Sequence, residues 1–340
     1  MTTYQDAGVD IEAGNRAVAL MRAAVQATYT PAVVAGIGAF GGLFDAATLQ
    51  AMTAPVLVAS TDGVGTKVKV AAQMRRFDTI GADLVNHCVN DILAQGGRPL
   101  FFLDYIAASR LVPEEVAAVV TGMADACRAV GCVLLGGETA EMPGVYQAGE
   151  FDVAGTIVGV VERSRIVDGR TVQAGDVLVG LPSSGLHTNG FSLARRVLAE
   201  LDWTAPQAAL EQGRSIGDAL LAVHRCYLPA LERLWAAGVV IAAMAHITGG
   251  GLVENVPRSL PAGLGAQIEA WPTPPIFGLI KRLGNVPDDG MFRTFNMGVG
   301  MVLVVAPDAV AAVRQVLGAD AYVIGRVVPW SGAGPRVIIA

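Results

Sequence analysis

The sequence lacks a segment with the length and apolar character of a membrane-spanning helix. Its longest uncharged stretch, Ala23–Phe44, is interrupted by Pro31 and several glycines, whereas a span needs about 20 consecutive apolar residues. The first residues, Met-Thr-Thr-Tyr-Gln-Asp, contain neither a basic region nor an apolar run, so no signal peptide is predicted. We therefore expect a cytoplasmic protein without a membrane partner.

Cysteine, lysine and charge are also scarce. The four cysteines form no C-x-x-C pair and lack zinc-ligand spacing, so we interpret them as buried thiols. Charged residues make up 16% of the chain, the net charge is −6, and no basic run exceeds two residues. This pattern excludes a nucleic-acid footprint. Lys67 and Lys69 stand out because lysine is so rare.

Apolar residues and glycine are abundant. The 340 residues, 53% of them hydrophobic, exclude disorder and are enough for two domains. Apolar runs of strand length alternate with helical spacing in both halves, which predicts α/β or α+β domains with mixed sheets. A polar stretch places the domain boundary near Asp168, between residues 1–168 and 169–340. The predicted strands are Val56–Ser60, Leu100–Leu103, Cys132–Leu135, Val153–Val161, Val177–Leu181, Val299–Val305 and Ala321–Val328. The predicted helices are Thr79–Gln95, Pro113–Val130, Phe191–Leu201, Ile216–Ala237, Pro275–Leu283 and Asp308–Leu317.

The segment Ser60–Lys67 (STDGVGTK) directly follows a predicted strand. Its two glycines allow a tight turn whose backbone N–H groups can cradle phosphate oxygens. Asp62 offers a hard oxygen ligand for Mg²⁺, and Lys67 offers a cation for phosphate. The spacing is not that of a P-loop, and an ordinary Asp-Gly turn with an exposed lysine is the alternative.

The helix predicted over residues 79–95 carries Asp83, His87 and Asp91 on one face, at i, i+4 and i+8. Asn90 lies on the part of the helix surface next to this face. Asp91, together with Asp83, could supply oxygen ligands to a metal, whereas a zinc site lacks an evident third strong ligand. A polar face with side-chain hydrogen bonds is the alternative.

The segment Gly136–Pro143 (GGETAEMP) follows another predicted strand, so a second strand ends in glycines and a carboxylate. Ligands of open α/β sheets bind beyond the carboxyl ends of the strands. We therefore expect Asp62, Asp91 and Glu138 at one end of the domain. Three neighbouring carboxylates need a cation to stay ionised, and Mg²⁺ carried by a nucleotide fits best.

Three polar segments of the second half combine glycine with groups that bind anions. They are Ser183–Gly190 (SSGLHTNG), His246–Asn255 (HITGGGLVEN) and Arg293–Gly300 (RTFNMGVG). The first two open predicted helices, whose N-termini attract anions. His187 could act as a general acid/base or hold substrate, and Arg293 could pair with a phosphate. A capped polar loop and a flexible glycine loop are the alternatives.

A match to G-x-G-x-x-G at Gly36–Gly41 is superficially a dinucleotide fingerprint, because Asp62 follows about 20 residues later. The strand before it would be short, and Asp62 lies inside its own glycine loop. We therefore do not interpret this segment as a dinucleotide site.

Taken together, these segments resemble the phosphoribosylformylglycinamidine cyclo-ligase family, also called AIR synthetases. Tyr4–Gly14 (YQDAGVDIEAG), Cys88–Asp91 (CVND) and Leu100–Tyr105 (LFFLDY) match as well, and all stand in the family's order across essentially the whole chain. The resemblance implies a two-domain AIR-synthetase-like architecture. It also implies a homodimer whose N-terminal domains pair near the nucleotide sites.

The resemblance implies a ligase of the fifth step of de novo purine biosynthesis. The reaction is the ATP-dependent cyclisation of formylglycinamidine ribonucleotide (FGAM) to 5-aminoimidazole ribonucleotide (AIR), with release of ADP and phosphate. ATP activates the formyl oxygen, and a substrate nitrogen then attacks that carbon and closes the ring. No protein nucleophile is required, so catalysis can consist of positioning and electrostatics.

The resemblance also implies roles for individual residues. The expected Mg²⁺ ligands are Asp62, Asp91 and Glu138. The expected ATP contacts are Asp62, Gly63, Gly65, Thr66, Lys67, Asn90, Gly136, Gly137, Glu138 and Thr139. The expected substrate contacts are Ser183, Ser184, His187, Thr188, Asn189, Gly249, Gly250, Gly251, Arg293 and Asn296. Lys67, His187 and Asp91 are the expected catalytic residues.

Three positions depart from the family's pattern. Met297 stands where many relatives carry cysteine, which argues against a nucleophile there. Asn86 and His87 stand where many members carry small or apolar residues, so no metal-binding role is assigned to His87. Two alternatives stay open: a non-catalytic nucleotide-binding protein, and another ATP-using member of the superfamily that resembles thiamine-phosphate kinase.

Overall fold

The fold was analysed in a computed structural model that describes residues 8–340, so part of the Tyr4–Gly14 motif lies outside the described residues. The chain forms two compact units. The first contains the described residues up to Ile92 together with Gly97–Arg165, and the second contains Leu93–Gly96 and Ile166–Ala340. Each unit combines sheet and helices, which confirms the expected two-domain α/β class. The sequence predicts the boundary near Asp168.

The first unit carries four helices around a four-stranded sheet. Its helices are α1 (Ile11–Gln26), α2 (Lys67–Met74), α3 (Asp78–Leu93) and α4 (Pro113–Ala129). Its strands are β1 (Val33–Ala35), β2 (Leu43–Phe44), β3 (Pro55–Gly63), β4 (Arg98–Ala108), β5 (Val133–Glu141) and β6 (Phe151–Glu162). The larger sheet has the order β3-β6-β4-β5, and β6 runs antiparallel to both of its neighbours. Strands β3, β4 and β5 therefore end at the same edge.

Helix α3 lies unusually close to this sheet because β6 carries glycines beneath it. A Cβ at Gly155 would lie 2.1 Å from the Phe102 ring and 3.1 Å from Leu84 of α3. A Cβ at Gly159 would lie 2.6 Å from Ile92. The apolar side chains of this helix are buried, with Leu84 and Ile92 at most 1% exposed. The glycines thus fix the height of α3 above the strands.

The second unit is built on a six-stranded sheet of order β12-β9-β11-β7-β10-β8. Its strands are β7 (Val177–Pro182), β8 (Ala243–His246), β9 (Leu264–Ile268), β10 (Val299–Val305), β11 (Tyr322–Pro329) and β12 (Val337–Ile339). Its helices are α5 (Phe191–Val197), α6 (Ile216–Leu220), α7 (Leu228–Ala236), α8 (Gly251–Asn255), α9 (Pro275–Gly284), α10 (Asp288–Thr294) and α11 (Val310–Leu317). Every residue of β10 is buried. This strand lies between β7 and β8 in the sheet.

Several predicted elements differ from those in the structure. Strands β4 and β5 extend five and six residues beyond the predicted ends, so β5 continues into the GGETAEMP segment that was predicted to follow it. The single helix predicted over Ile216–Ala237 is two helices, because Pro229 fits only the first turn of a helix and α7 begins there. Strands β8, β9 and β12 were not predicted, since such short apolar runs carry little periodicity.

Two exclusions made from the sequence agree with the structure. Gly36–Gly41 lies between the antiparallel strands β1 and β2, so a strand rather than a helix follows this glycine segment. Within residues 8–340, none of the helices has the length and apolar character needed to cross a membrane.

The contact between α3 and α4 yields a prediction about stability. A Cβ at Gly81 of α3 would lie 1.9 Å from the carbonyl oxygen of Val119 in α4, whereas a Cβ at Gly14 of α1 would meet nothing within 4 Å. We expect Gly81→Ala to destabilise the protein by about 1–3 kcal/mol, because backbone atoms must move. The matched control Gly14→Ala should stabilise it by about 0.5–1 kcal/mol through helix propensity. Denaturant unfolding measures both, and equal effects of the two substitutions would contradict the account of the packing.

Candidate active site

Two of the predicted carboxylates converge where β3 ends beneath α3. Ser60 and Asp62 are two residues apart on β3, so their side chains lie on the same face of the sheet, the one covered by the helix. Ser60 Oγ donates to Asp91 Oδ2 at 2.9 Å. His87 Nε2 lies 2.9 Å from Asp62 Oδ2 and 3.7 Å from Asp91 Oδ2. The helical spacing of His87 and Asp91 thus places both carboxylates around one imidazole, as the face shared by these residues in the sequence suggested.

Electrostatics favour a positive charge at this point. Burial would lower the pKa of His87, but the hydrogen bond to Asp62 and the charges of Asp91 and Asp62 outweigh it, so the pKa is raised. Burial would raise the pKa of Asp62, yet the hydrogen bond and charge of His87 lower it overall. The side chains of Asp62 and Asp91 are 45% and 26% exposed, so this corner is open to solvent.

Lys67, which was expected to contact a phosphate, is directed towards a carboxylate of its own unit rather than towards solvent. Lys67 begins α2, its side chain is fully buried, and its Nζ lies 2.8 Å from Asp83. Burial lowers the pKa of Lys67, while the charge of Asp83 opposes that shift. Asp83 is therefore the counterion of Lys67 rather than a metal ligand, and the ammonium is turned inward because α3 covers it.

The other residues of the first glycine segment have mixed surroundings. The N–H of Gly63 donates to its neighbour's carboxylate, Asp62 Oδ1, at 2.7 Å, so this donor is already used. Gly65 adopts a left-handed conformation, with φ of 56°, and Thr66 precedes α2. Asn90 is fully buried within α3. Within this segment, the tight turn at Gly65 is the part that fits the expected phosphate cradle.

Glu138 does not join Asp62 and Asp91 within this unit. Gly136, Gly137, Glu138 and Thr139 lie inside β5, not in a loop after it. In the register of the sheet, Asp62, Gly155, Asp104 and Gly137 stand side by side on the four strands. Three strand spacings, about 14 Å, thus separate β3 from β5. Because side chains alternate along a strand, Glu138 also faces the opposite side of the sheet from Gly137 and Asp62.

Asp104 is a titratable residue that is not among the predicted site residues. It sits in the LFFLDY motif but beyond the predicted end of the strand. A Cβ at Gly137 would lie 2.2 Å from Asp104 Oδ1, so the glycine makes room for this carboxyl group. Burial raises the pKa of Asp104 to about 7, and the charge of Glu138 adds to the shift. The glycine of GGETAEMP therefore serves packing at this position.

In the second unit, the loop after β7 is tied to the start of β10. Ser183 Oγ lies 2.9 Å from the Gly185 oxygen and 3.1 Å from Asn296 Oδ1. Asn296 Nδ2 donates to the Gly185 oxygen at 2.9 Å, and its Oδ1 accepts from the Gly298 N–H at 2.8 Å. Asn296 is 2% exposed. These two predicted substrate contacts are thus engaged in holding the loop.

His187 and Thr188 are buried within the same loop. His187 has φ of 62°, a left-handed conformation that is rare outside glycine. Its Nε2 accepts from the backbone N–H groups of Ser184 and Arg225 at 3.2 and 3.4 Å. The side chain is 1% exposed. The predicted acid/base residue therefore has a fixed orientation but little contact with solvent.

Gly251, the last glycine of the segment His246–Asn255, approaches protein backbone rather than open space. A Cβ at Gly251 would lie 2.0 Å from the Phe292 carbonyl oxygen of α10. Asn255 Nδ2 donates to the oxygens of Gly249 and Gly251 at 3.0 and 2.9 Å. Gly250 precedes a helix of five residues, which is too short to make the strong anion site expected there.

Among the predicted substrate residues, Asn189 has a polar atom that the described part of the chain leaves unsatisfied, and Arg293, Ser184 and Gly249 are exposed. A Cβ at Gly249 would lie 3.6 Å from Asn189 Nδ2, so these two loops approach each other. Asn189 Oδ1 is buried and has no hydrogen-bond partner within residues 8–340. The Arg293 side chain is 61% exposed and lies 3.5 Å from Glu254.

A cavity of about 370 Å³ adjoins this loop and involves residues that the motifs did not include. Ser183 and Ser184 line it on one side, and Glu211 and Arg214 contribute charged groups. Its volume suits a small ligand. The sequence signal for this cavity is weak, because Glu211 and Arg214 belong to an irregular polar stretch without a motif.

Comparison with known proteins supports one family throughout the chain. Residues 44–161 match the family model of the AIR synthase related protein N-terminal domain, and residues 173–337 match that of its C-terminal domain. A phosphoribosylformylglycinamidine cyclo-ligase of Desulfitobacterium hafniense is 53% identical over 330 residues, covering 96% of each chain. One of Geobacillus thermodenitrificans is 52% identical, covering 97% of this chain and 96% of that protein.

Solved structures with the same fold include more distant relatives. Thiamine-monophosphate kinase from Stenotrophomonas maltophilia K279a aligns with a TM-score of 0.67 at 21% identity, covering 95% of each chain. A HypE hydrogenase maturation protein in complex with ATP aligns with a TM-score of 0.64 at 18% identity, covering 93% of this chain and 88% of that one. These likenesses establish the fold. The identity to the curated relatives establishes the family: the chain belongs to the phosphoribosylformylglycinamidine cyclo-ligases.

Proposed function

We propose that the protein catalyses the ATP-dependent cyclisation of formylglycinamidine ribonucleotide to 5-aminoimidazole ribonucleotide, with release of ADP and phosphate. The observation that carries this proposal is the solvent-open pair of carboxylates, Asp62 and Asp91, at the end of β3 in a chain 53% identical to a cyclo-ligase. Such a pair suits a nucleotide that brings its own divalent cation.

The reaction proceeds in two steps, phosphoryl transfer and ring closure. The formyl oxygen of the substrate forms a bond to the γ-phosphorus of ATP as the bond to the ADP oxygen breaks. A substrate nitrogen then forms a bond to the activated carbon, the C–O bond breaks, phosphate leaves, and the nitrogen gives up a proton. The protein need not form a covalent bond, so its contribution is orientation and charge stabilisation.

Asp62 and Asp91 are the residues that would hold Mg²⁺. The fit rests on their donor atoms, since carboxylate oxygens are the ligands Mg²⁺ prefers. It also rests on their convergence, since both carboxylates lie within 4 Å of the same atom, His87 Nε2. When bound, Mg²⁺ would neutralise charge on the ATP phosphates. Ser60 keeps Asp91 oriented through its hydrogen bond, and the left-handed turn at Gly65 follows Asp62 by three residues.

We assign Lys67 and Glu138 roles that differ from the direct contacts with ATP and Mg²⁺ expected from the sequence. Lys67 acts through Asp83 by holding the start of α2 against α3, so it is a positioning residue. Glu138 is exposed on the other side of the sheet, beside Tyr105 in the register. We therefore do not place it with the other two carboxylates of the same chain.

In the second unit, Asn189 is the candidate for a direct contact with the ribonucleotide substrate. A buried acceptor without a partner is costly, and a substrate hydroxyl or amine could satisfy it. His187 lies two residues earlier in the same loop and keeps a fixed orientation. Arg293 is exposed enough to reach a phosphate.

The proposal includes a homodimer formed through the first unit. One face of its sheet leaves apolar side chains exposed, with Leu57 63%, Leu103 36% and Tyr105 38% accessible. Strands β3 and β5 are the edges of this sheet. Exposed apolar patches and unpaired edges are features that a second subunit can cover. Because the reaction consumes ATP, we place it in the cytoplasm.

The cation site can be tested with charge-removing variants. We expect Asp62→Asn and Asp91→Asn each to lower turnover by about 100-fold or more, because an electrostatic contact to the reacting phosphates is lost. Thermal stability should change little, since both side chains are partly exposed. Asp125→Asn, at an exposed position on α4, is the matched control and should retain full turnover. Full turnover in both site variants would remove these residues from the site.

The function itself is tested by measuring phosphate release with Mg·ATP, with formylglycinamidine ribonucleotide added or omitted. We expect release only with the ribonucleotide, accompanied by an aminoimidazole product. Release without it would favour another ATP-using activity. Bound ATP without any release would favour a non-catalytic nucleotide-binding protein.

The dimer can be tested with one substitution on the exposed sheet face. Leu57→Glu would bury a charge in the proposed interface, so we expect the dimer to dissociate. Light scattering after size-exclusion chromatography measures the mass. Val240→Glu, at a position in the second unit that is 76% exposed, is the control and should stay dimeric. A monomeric parent protein, or a dimeric Leu57→Glu variant, would contradict this assignment.

A further inference from the structure

A buried cluster of three histidines lies in the second unit. His187, His224 and His246 are 1%, 0% and 7% exposed. His187 belongs to the loop after β7, and His246 ends β8 and precedes the glycine segment. His224 lies in the irregular connection between α6 and α7 and belongs to none of the motifs. It is the member of the cluster whose presence the sequence analysis leaves unexplained.

His224 contacts both loops that we propose to bind substrate. Its ring stacks on that of His187, with centroids 3.9 Å apart and 22° between the planes. Its Nε2 lies 3.1 Å from His246 Nε2. Its Nδ1 lies 3.4 Å from the Thr188 hydroxyl. A single side chain thus links residues 187 and 188 of one loop to the first residue of the other.

The two facing Nε2 atoms can share only one proton, because a hydrogen bond needs one donor and one acceptor. If His224 Nε2 carries the proton, a neutral His224 accepts from the Thr188 hydroxyl at Nδ1. If His246 carries it, a neutral His224 donates to Thr188 instead. The direction in which the Thr188 hydroxyl bonds is therefore coupled to the state of His246 through His224.

A metal ion held by all three imidazoles fits this geometry poorly, although their ligand atoms lie within 4.8 Å of one another. His187 Nε2 accepts from two backbone N–H groups, which places the proton of the neutral ring on Nδ1. A metal ligand must offer an in-plane lone pair, and stacked rings do not direct theirs to one point. The contacts instead form a hydrogen-bonded and stacked network.

We propose that His224 is a positioning residue that fixes the loop carrying His187 and Thr188 against the loop that begins at His246. The need for it follows from the backbone, because His187 is held at φ of 62°, which persists only where surrounding contacts enforce it. The inference rests on the proposed function, since it assigns the two loops to the ribonucleotide substrate. Its effect should fall on that substrate rather than on ATP.

The test compares His224→Ala, His224→Gln and His224→Asn with the parent enzyme by steady-state kinetics. We expect His224→Ala to lower kcat/KM for the ribonucleotide by about 10–100-fold, as misplacement of a binding group does, mainly through a higher KM. The KM for ATP should be unchanged. Glutamine places an amide near the position of Nε2 and should restore most of the loss. Asparagine mimics Nδ1 and should restore less, because the shorter contact is the one to His246.

Hydrogen exchange supplies a readout that does not depend on activity. We expect faster exchange of residues 183–190 and 246–251 in His224→Ala, with recovery in His224→Gln. An inactive parent enzyme would refute the proposed function, and exchange would still decide the linking role of His224. Unchanged exchange, or equal changes in the KM of both substrates, would overturn the inference. Stoichiometric zinc in the parent protein that is lost in His224→Ala would replace the network with a metal site.

Discussion

The close seating of α3 on the sheet of the first unit is the constraint on which the candidate site depends. Gly155 and Gly159 lack the side chains that would lift the helix away. With α3 at this height, His87 and Asp91 reach the end of β3, where Asp62 stands. The same packing closes over Lys67. The packing of the core at these glycines therefore determines which charged groups face the solvent.

Burial separates the two charged clusters of this unit. Lys67 and Asp83 are both fully buried, so each must satisfy the other, and breaking such a pair leaves a costly unpaired charge. Asp62 and Asp91 stay partly exposed around His87, so they remain accessible to a cation from solvent. In the proposed function, the second cluster is the one that binds Mg·ATP, whereas the first maintains the framework beneath it. The difference in burial is the physical reason why Asp83 is assigned a structural role and Asp62 and Asp91 a role in binding.

The sequence predicted the parts that depend on local pattern. Strand Val299–Val305 has the predicted bounds, and the helical spacing of His87 and Asp91 anticipated their shared face. The inward direction of the Lys67 side chain could not be predicted from the glycine segment, because it depends on how α3 covers α2. The face of Glu138 depends on β5 continuing past its glycines. His224 carried no local signal, since its contacts reach residues 36 and 22 positions away.

The most direct test of the cation site uses Mn·ATP as a paramagnetic analogue of Mg·ATP. The imidazole signals of histidine-labelled protein are recorded by NMR, with His87 assigned through His87→Gln. The account predicts strong broadening of the His87 signal by Mn·ATP, because the two carboxylates proposed to hold the ion, Asp62 and Asp91, both lie within 4 Å of His87 Nε2. That broadening should disappear in Asp62→Asn. A His87 signal unaffected by Mn·ATP while the nucleotide is bound would contradict the account.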